Sequence, residues 1–113
     1  MSRKLLEGKT ILVTGTARGI GKQMVAVFTS NGANVIAHAR TETEEHKVYC
    51  DSLAGEYGVQ AIPLYFDFRT PEAIKDAIKR IRETKLPIDG LVNNAGIIYN
   101  ALFQMTGMDE LRN

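Results

Sequence analysis

The chain has 113 residues, of which 44% are apolar, with 14 Lys and Arg set against 13 Asp and Glu. That length and apolar content suit one domain with a real core, and the balanced charge leaves no basic excess for wrapping nucleic acid. The single cysteine, Cys50, excludes an internal disulfide and would need several other ligands to hold a metal, which points to a reducing compartment.

The first ten residues, MSRKLLEGKT, hold only two adjacent leucines, far short of a signal peptide's apolar region. No apolar run approaches the ~18 residues of a membrane span. The expectation is a soluble, cytoplasmic protein with no membrane partner. No internal repeat, low-complexity segment or linker divides the chain.

In chain order, KTILVTG is a short apolar run ending at Gly15 and reads as a strand buried on both faces. From Gly19 to Ser30, Ile20, Met24, Val25 and Phe28 fall at i, i+4, i+5 and i+8, one helical stripe. Gly32 suits the left-handed turn that ends such a helix. ANVIAHAR reads as a second strand. Thr41 with Glu44 makes a capping box for a second helix running to about Tyr57, with Tyr49, Leu53 and Tyr57 along it. GVQAIPLYFDF carries a third strand. Thr70 caps a third helix with Pro71 at its first position, and Ile74, Ala77, Ile78 and Ile81 form its buried stripe. IDGLVNNAG gives a fourth strand, and Thr106 would cap a fourth helix whose first turns include Asp109. Strands alternating with helices imply parallel pairing and right-handed crossovers. The expected fold is α/β, a Rossmann-type doubly wound parallel sheet of about four strands.

Gly15, Gly19 and Gly21 have the spacing G-x3-G-x-G and sit between an expected strand and an expected helix. The first glycine permits a tight turn, the second lets backbone approach a pyrophosphate, and the third lets the helix pack on the sheet. The helix N-terminus then offers N–H groups and a positive dipole end to phosphate. The P-loop alternative fails, since it needs glycine at residue 16, which is Thr16, and a hydroxyl at residue 23, which is Gln23. A glycine turn that only connects strand to helix stays open on this motif alone.

TGTARGIG at 14–21, Asp67 after the third strand and NNAG at 93–96 together resemble the short-chain dehydrogenase/reductase family, over nearly the whole chain. The 3-oxoacyl-ACP reductases are the nearest flavour. The resemblance implies a strand order 3-2-1-4. It implies that Gly15, Thr16, Gly19, Ile20 and Gly21 form the turn around the cofactor's adenosine and pyrophosphate. Asp67, with the backbone of Phe68, would lie against the adenine, although by itself Asp67 also reads as a solvated carboxylate. Asn94, Ala95 and Gly96 would border the ribose and the path to the nicotinamide, while Asn93 would steady the sheet.

An NAD-preferring site places Asp or Glu at the end of the second strand, about 20 residues past the glycines. That region reads HAR, with Ala39 and Arg40 where the acid would stand, and Arg18 lies inside the turn itself. Two guanidinium groups can grip a 2′-phosphate through forked, charge-assisted hydrogen bonds. Either arginine alone is equally a surface residue; together they favour NADP(H) over NAD(H). Glu42 is assigned to the first turn of the next helix. His38 and His46 lack ligand spacing and read as structural or solvated.

In the family a serine and a tyrosine and lysine spaced Y-x3-K do the chemistry, with an asparagine from the fourth helix. The tyrosine gives a proton to the carbonyl oxygen while hydride reaches the carbon. Four residues after Tyr49, Tyr57, Tyr65 and Tyr99 stand Leu53, Ala61, Arg69 and Phe103, so none fits, and Asn113 does not match the helix asparagine. Two expectations follow. One is the amino-terminal, cofactor-binding part of a ketone reductase, whose carbonyl substrate is met only by a longer form. The other is a non-catalytic nucleotide-binding module, or a half-enzyme that needs a partner chain. The fourth strand, GLVNNAG, would have an open edge, which predicts self-association.

Overall fold

The computed structural model describes residues 4–67 and 69–94. The expected fourth helix, Phe68, Ala95, Gly96 and Asn113 lie outside the described residues. The elements run β1 (Thr10–Val13), α1 (Gly19–Ser30), β2 (Asn34–Ala39), α2 (Glu44–Tyr57), β3 (Ala61–Tyr65), α3 (Pro71–Glu83) and β4 (Gly90–Val92). All strand pairs are parallel and the sheet order is β3-β2-β1-β4, as the resemblance implies. In register, Leu12 lies opposite Ile36 on one side and Leu91 on the other.

Strand side chains alternate between faces, so each strand feeds two cores. Leu12, Ile36, Leu64 and Phe66 meet Ile74, Ala77, Ile78 and Ile81 of α3 on one face. Ile11, Val13, Val35 and Ala37 meet Val25 of α1 with Cys50 and Leu53 of α2 on the other. Helices on both faces explain why β1 is buried along its whole length. Pro63 stands in β3, the outer strand of this sheet, where a missing N–H leaves no ladder bond unmade on the solvent side.

The stripe expected on α3 is the buried one, and Pro71 occupies its first turn, although the Thr70 side chain makes no capping bond. On α1 the buried positions are Gly21, Val25 and Thr29, while Ile20 is 66% exposed. The helix meets the sheet through the backbone at Gly21. The Thr29 hydroxyl donates to the Val25 carbonyl at 2.7 Å, so this polar side chain is buried without loss of its hydrogen bond. Gly32, at φ +93°, closes α1 as expected. The cap of α2 is Thr43, which accepts from the His46 amide at 3.1 Å, and not Thr41. Glu42 therefore precedes the helix, and its carboxylate pairs with Lys47. The buried face of α2 is His46, Cys50 and Leu53, with Tyr49 and Tyr57 only partly covered. Burial pushes the Cys50 thiol up to about 11, so it stays protonated.

Candidate functional site

β1 carries the chain into the glycine turn at the C-terminal end of the sheet. Gly15 and Gly19 adopt φ of +69° and +65°, which side chains oppose. Gly21 is needed for a different reason. A Cβ there would lie 2.0 Å from the Gly15 carbonyl oxygen and 2.6 Å from Asn94 Nδ2. The start of α1 thus packs backbone to backbone against the turn. No side chain caps α1, and no acid lies in its first turn. Its N–H groups and dipole end are left to an incoming anion.

The end of β4 ties to the same turn. The Asn94 amide N–H donates to Thr14 Oγ1 at 2.9 Å, and Asn94 Nδ2 donates to the Gly15 carbonyl at 3.0 Å. Thr14 Oγ1 lies 3.3 Å from Asn93 Oδ1, which agrees with a sheet-steadying role for Asn93. Asn93 and Asn94, the described half of the second motif, are therefore tied to the glycine turn across β1 and β4.

Thr16 points inward. It is fully buried, and both its N–H and its hydroxyl donate to the His38 carbonyl, each at 2.8 Å. Its hydroxyl oxygen also lies 2.7 Å from His46 Nε2. Gly15 N–H donates to His38 Nδ1 at 3.1 Å, so this amide is directed into the protein. Both histidines are buried rather than solvated, and burial lowers the pKa of each.

A cleft of about 550 Å³ opens beside the turn. Gly15, Ala17 and Arg18 form one wall, and His38, Ala39 and Arg40 at the end of β2 form the floor. Asp67 and Arg69, after β3, form the opposite wall. This is the crevice beyond the strand ends, next to the point where the order reverses from β1–β2 to β1–β4. Ala39 and Arg40 leave the end of β2 without a carboxylate.

Asp67 is not a loose surface acid. Its Oδ1 accepts from the Arg69 amide and Nε at 2.9 and 3.1 Å, and its Oδ2 accepts from Arg69 Nη2 at 2.8 Å. Arg40 Nε lies 3.4 Å from the same Oδ2. The forked Arg69 bonds, followed by its amide and then by Arg40's charge, hold this carboxyl well below the usual range. The structure so brings Gly15, Arg18, Arg40 and Asp67 to one cleft. It sets Gly19, Ile20 and Gly21 at the helix start, and Asn94 against the back of the turn. Sequence reasoning missed Arg69 and the two histidines. Arg69 stands two residues past Asp67, a spacing that permits a local fork; nothing in the sequence alone marks the histidine contacts, which span 19 to 30 residues.

Among the described residues, no group of three His, Cys, Asp or Glu could hold a metal, and no helix is long and apolar enough to cross a membrane.

Residues 9–113 match the family model described as short chain dehydrogenase. The 3-oxoacyl-(acyl-carrier-protein) reductase FabG of Aquifex aeolicus (strain VF5) is 39% identical over 98 residues, which is 87% of this chain and 39% of that protein. Among solved structures, L-sorbose reductase from Gluconobacter frateurii, complexed with NADPH and L-sorbose, is similar with a TM-score of 0.73 at 29% identity. That match covers 85% of this chain and 36% of the other. A short chain dehydrogenase from Shigella flexneri 2a str. 301, complexed with NADP, gives a TM-score of 0.73 at 25% identity, over 97% of this chain and 53% of that one. The chain spans about two fifths of the length of the curated reductase it matches. Sequence, sheet order and the glycine turn agree, and the chain belongs to the short-chain dehydrogenase family.

Proposed function

We propose that this chain is the NADP(H)-binding portion of an oxidoreductase that reduces a ketone, with a 3-oxoacyl thioester as the substrate class the FabG resemblance suggests. The observation that carries the reading is the charge of the cleft. Arg18, Arg40 and Arg69 line the cleft with one carboxylate, Asp67, which already pairs with Arg69 and Arg40. The cleft has a net positive charge and no acid at the end of β2, which suits a 2′-phosphate and not a bare ribose diol. Arg18 and Arg40 are assigned to the 2′-phosphate, and the N-terminus of α1 with Gly19, Ile20 and Gly21 to the pyrophosphate. Asp67 and Phe68 are assigned to the adenine, and Asn94, Ala95 and Gly96 to the ribose side. Gly15 and Thr16 shape the turn from within. When bound, the reduced nicotinamide supplies hydride to a carbonyl carbon.

The alternative is a nucleotide-binding module, or a half-enzyme completed by a partner chain. It is favoured by the absence of any tyrosine with lysine four residues on within these 113 residues. Intact mass of the native protein separates the two readings. Either is placed in the cytoplasm, as the lone buried thiol suits a reducing medium. A second copy, met through the outer edge of β4, is the proposed protein partner.

Titration of the chain with NADPH and NADH tests the cofactor assignment. NADPH binds more tightly, and Arg40→Asp reverses the preference. Loss of a charge-assisted contact costs about 1.5–3 kcal/mol, roughly tenfold to hundredfold in affinity. NADH binding as tightly as NADPH to the unmodified chain overturns the assignment.

A further inference from the structure

Beneath the glycine turn lies a chain of hydrogen-bonded polar groups, of which Thr16, His38 and His46 are buried. A carbonyl oxygen only accepts, and the Thr16 hydroxyl is assigned as the donor to the His38 carbonyl at 2.8 Å. Thr16 Oγ1 has then spent its one proton and is an acceptor toward His46 Nε2, 2.7 Å away. The ring proton of neutral His46 therefore sits on Nε2. That leaves a lone pair on Nδ1, which lies 2.7 Å from the Tyr65 hydroxyl, and Tyr65 donates to it. With Thr16 donating to the His38 carbonyl, the bonds run from Tyr65 to His46, from His46 to Thr16, and from Thr16 to the backbone of β2. His38 obeys the same logic. Gly15 N–H donates to its Nδ1, so Nε2 carries the proton and donates to the Phe66 carbonyl at 3.0 Å.

Both rings thus end on consecutive residues of the glycine turn, His38 on Gly15 and His46 on Thr16. Each is at most 5% exposed, so no water replaces these bonds cheaply. They run across three separate elements: β2, α2 and, through Tyr65, β3. His38 and Gly15 both line the cleft, while His46 reaches the turn only through buried Thr16.

We propose that His46 and His38, both neutral with the proton on Nε2, are positioning residues that lock Gly15 and Thr16 in the shape the dinucleotide requires. The proposal rests on the dinucleotide reading of the cleft. His46 is not among the cleft-lining residues and need not touch the ligand. Each ring acts by removing the freedom of the turn's backbone.

The test uses the 113-residue chain and three variants, each shown to be folded by circular dichroism at the temperature of measurement. His46→Leu keeps bulk and removes both hydrogen bonds. His46→Gln restores a donor near the place of Nε2. Tyr65→Phe removes only the far donor. Loss of a charge-assisted contact to phosphate costs about tenfold to hundredfold in affinity, so His46→Leu weakens NADPH by that factor, His46→Gln recovers most of it, and Tyr65→Phe falls between. A merely structural role lowers Tm but leaves the dissociation constant of the folded variant unmoved. A second readout needs no cofactor. Nitrogen-15 spectra of the unmodified chain show both rings as Nε2–H tautomers, and the Gly15 and Thr16 amide signals move in His46→Leu. Wild-type affinity in the folded His46→Leu variant, or an Nδ1–H tautomer at either ring, overturns the proposal. Failure of the unmodified chain to bind any dinucleotide overturns the cleft reading, while the spectra still decide whether His46 holds the turn.

Discussion

Three residues in the turn set its limits by different means. Gly15 needs its positive φ, Gly21 needs its missing Cβ, and Thr16 needs its buried hydroxyl paired. Around them the charges oppose protonation of the imidazoles. Burial lowers the His46 pKa first, and Lys22 from α1 adds to it; Tyr65 of β3 faces its Nδ1. Burial also dominates at His38, opposed by the Phe66 carbonyl and aided by His46. In the unfolded chain both titrate near the ordinary value of about 6.5. Between that value and the lower folded ones, the unfolded state binds more protons, so stability falls as pH falls through this window. Urea unfolding from pH 7.5 to pH 5 shows a loss of stability beginning near pH 6.5. A His46→Gln, His38→Gln double variant loses that dependence if it folds, and in any case the unmodified chain with a flat profile across the window contradicts the assignment of neutral, buried rings.

At the scale of elements, α1 and α2 hold glycines in opposite situations. An added methyl at Gly21 runs into the Gly15 carbonyl, whereas at Gly55, inside α2, it meets nothing within 4 Å. Gly21→Ala is expected to cost at least about 1–3 kcal/mol, the usual penalty of forced overpacking. Gly55→Ala is expected to gain about 0.5–1 kcal/mol from helix propensity. Denaturant midpoints for the two variants give the comparison directly, and equal effects of the same sign contradict it. The same contrast shows which elements were legible in sequence. The stripe of α3 is spelled in four aliphatic side chains, so the periodicity identifies its buried face without error. The buried face of α1 is a glycine, a valine and a threonine, because the helix docks by backbone and back-bonds its hydroxyl, and an apolar count misplaces Ile20 inward. The cap of α2 shifted from Thr41 to Thr43 because a Thr-x-x-Glu match scores only the pattern, while the backbone seats the threonine whose oxygen reaches the His46 amide. In the site, the meeting of Gly15, Arg18, Arg40 and Asp67 at one cleft was legible from the glycine spacing and the family resemblance, whereas Arg69 was not. The histidine bonds were not, since they join residues distant in sequence through donor and acceptor choices that only three-dimensional packing fixes.

At the scale of the molecule, the sheet has unequal edges. The β3 edge carries Pro63, which blunts pairing. β4 is three residues long and half-buried throughout, and among the described residues no strand pairs with its outer side. Leu91 and Val92 are correspondingly only partly covered, one on each core. An apolar edge with open N–H and C=O groups recruits another chain. Light scattering on the 113-residue chain is expected to show mass rising with concentration; a monodisperse monomer with concentration-independent unfolding contradicts the proposed second copy. The cleft holds three arginines and one ionised carboxylate that already pairs with two of them. Calorimetric titration with adenosine 2′,5′-bisphosphate beside adenosine 5′-monophosphate tests its assignment to a 2′-phosphate most directly, because the two differ by the 2′-phosphate alone. The account predicts that the bisphosphate binds at least about tenfold more tightly, the effect of one charge-assisted contact, and that Arg40→Asp erases the difference. Equal affinity for the two nucleotides in the unmodified chain contradicts it.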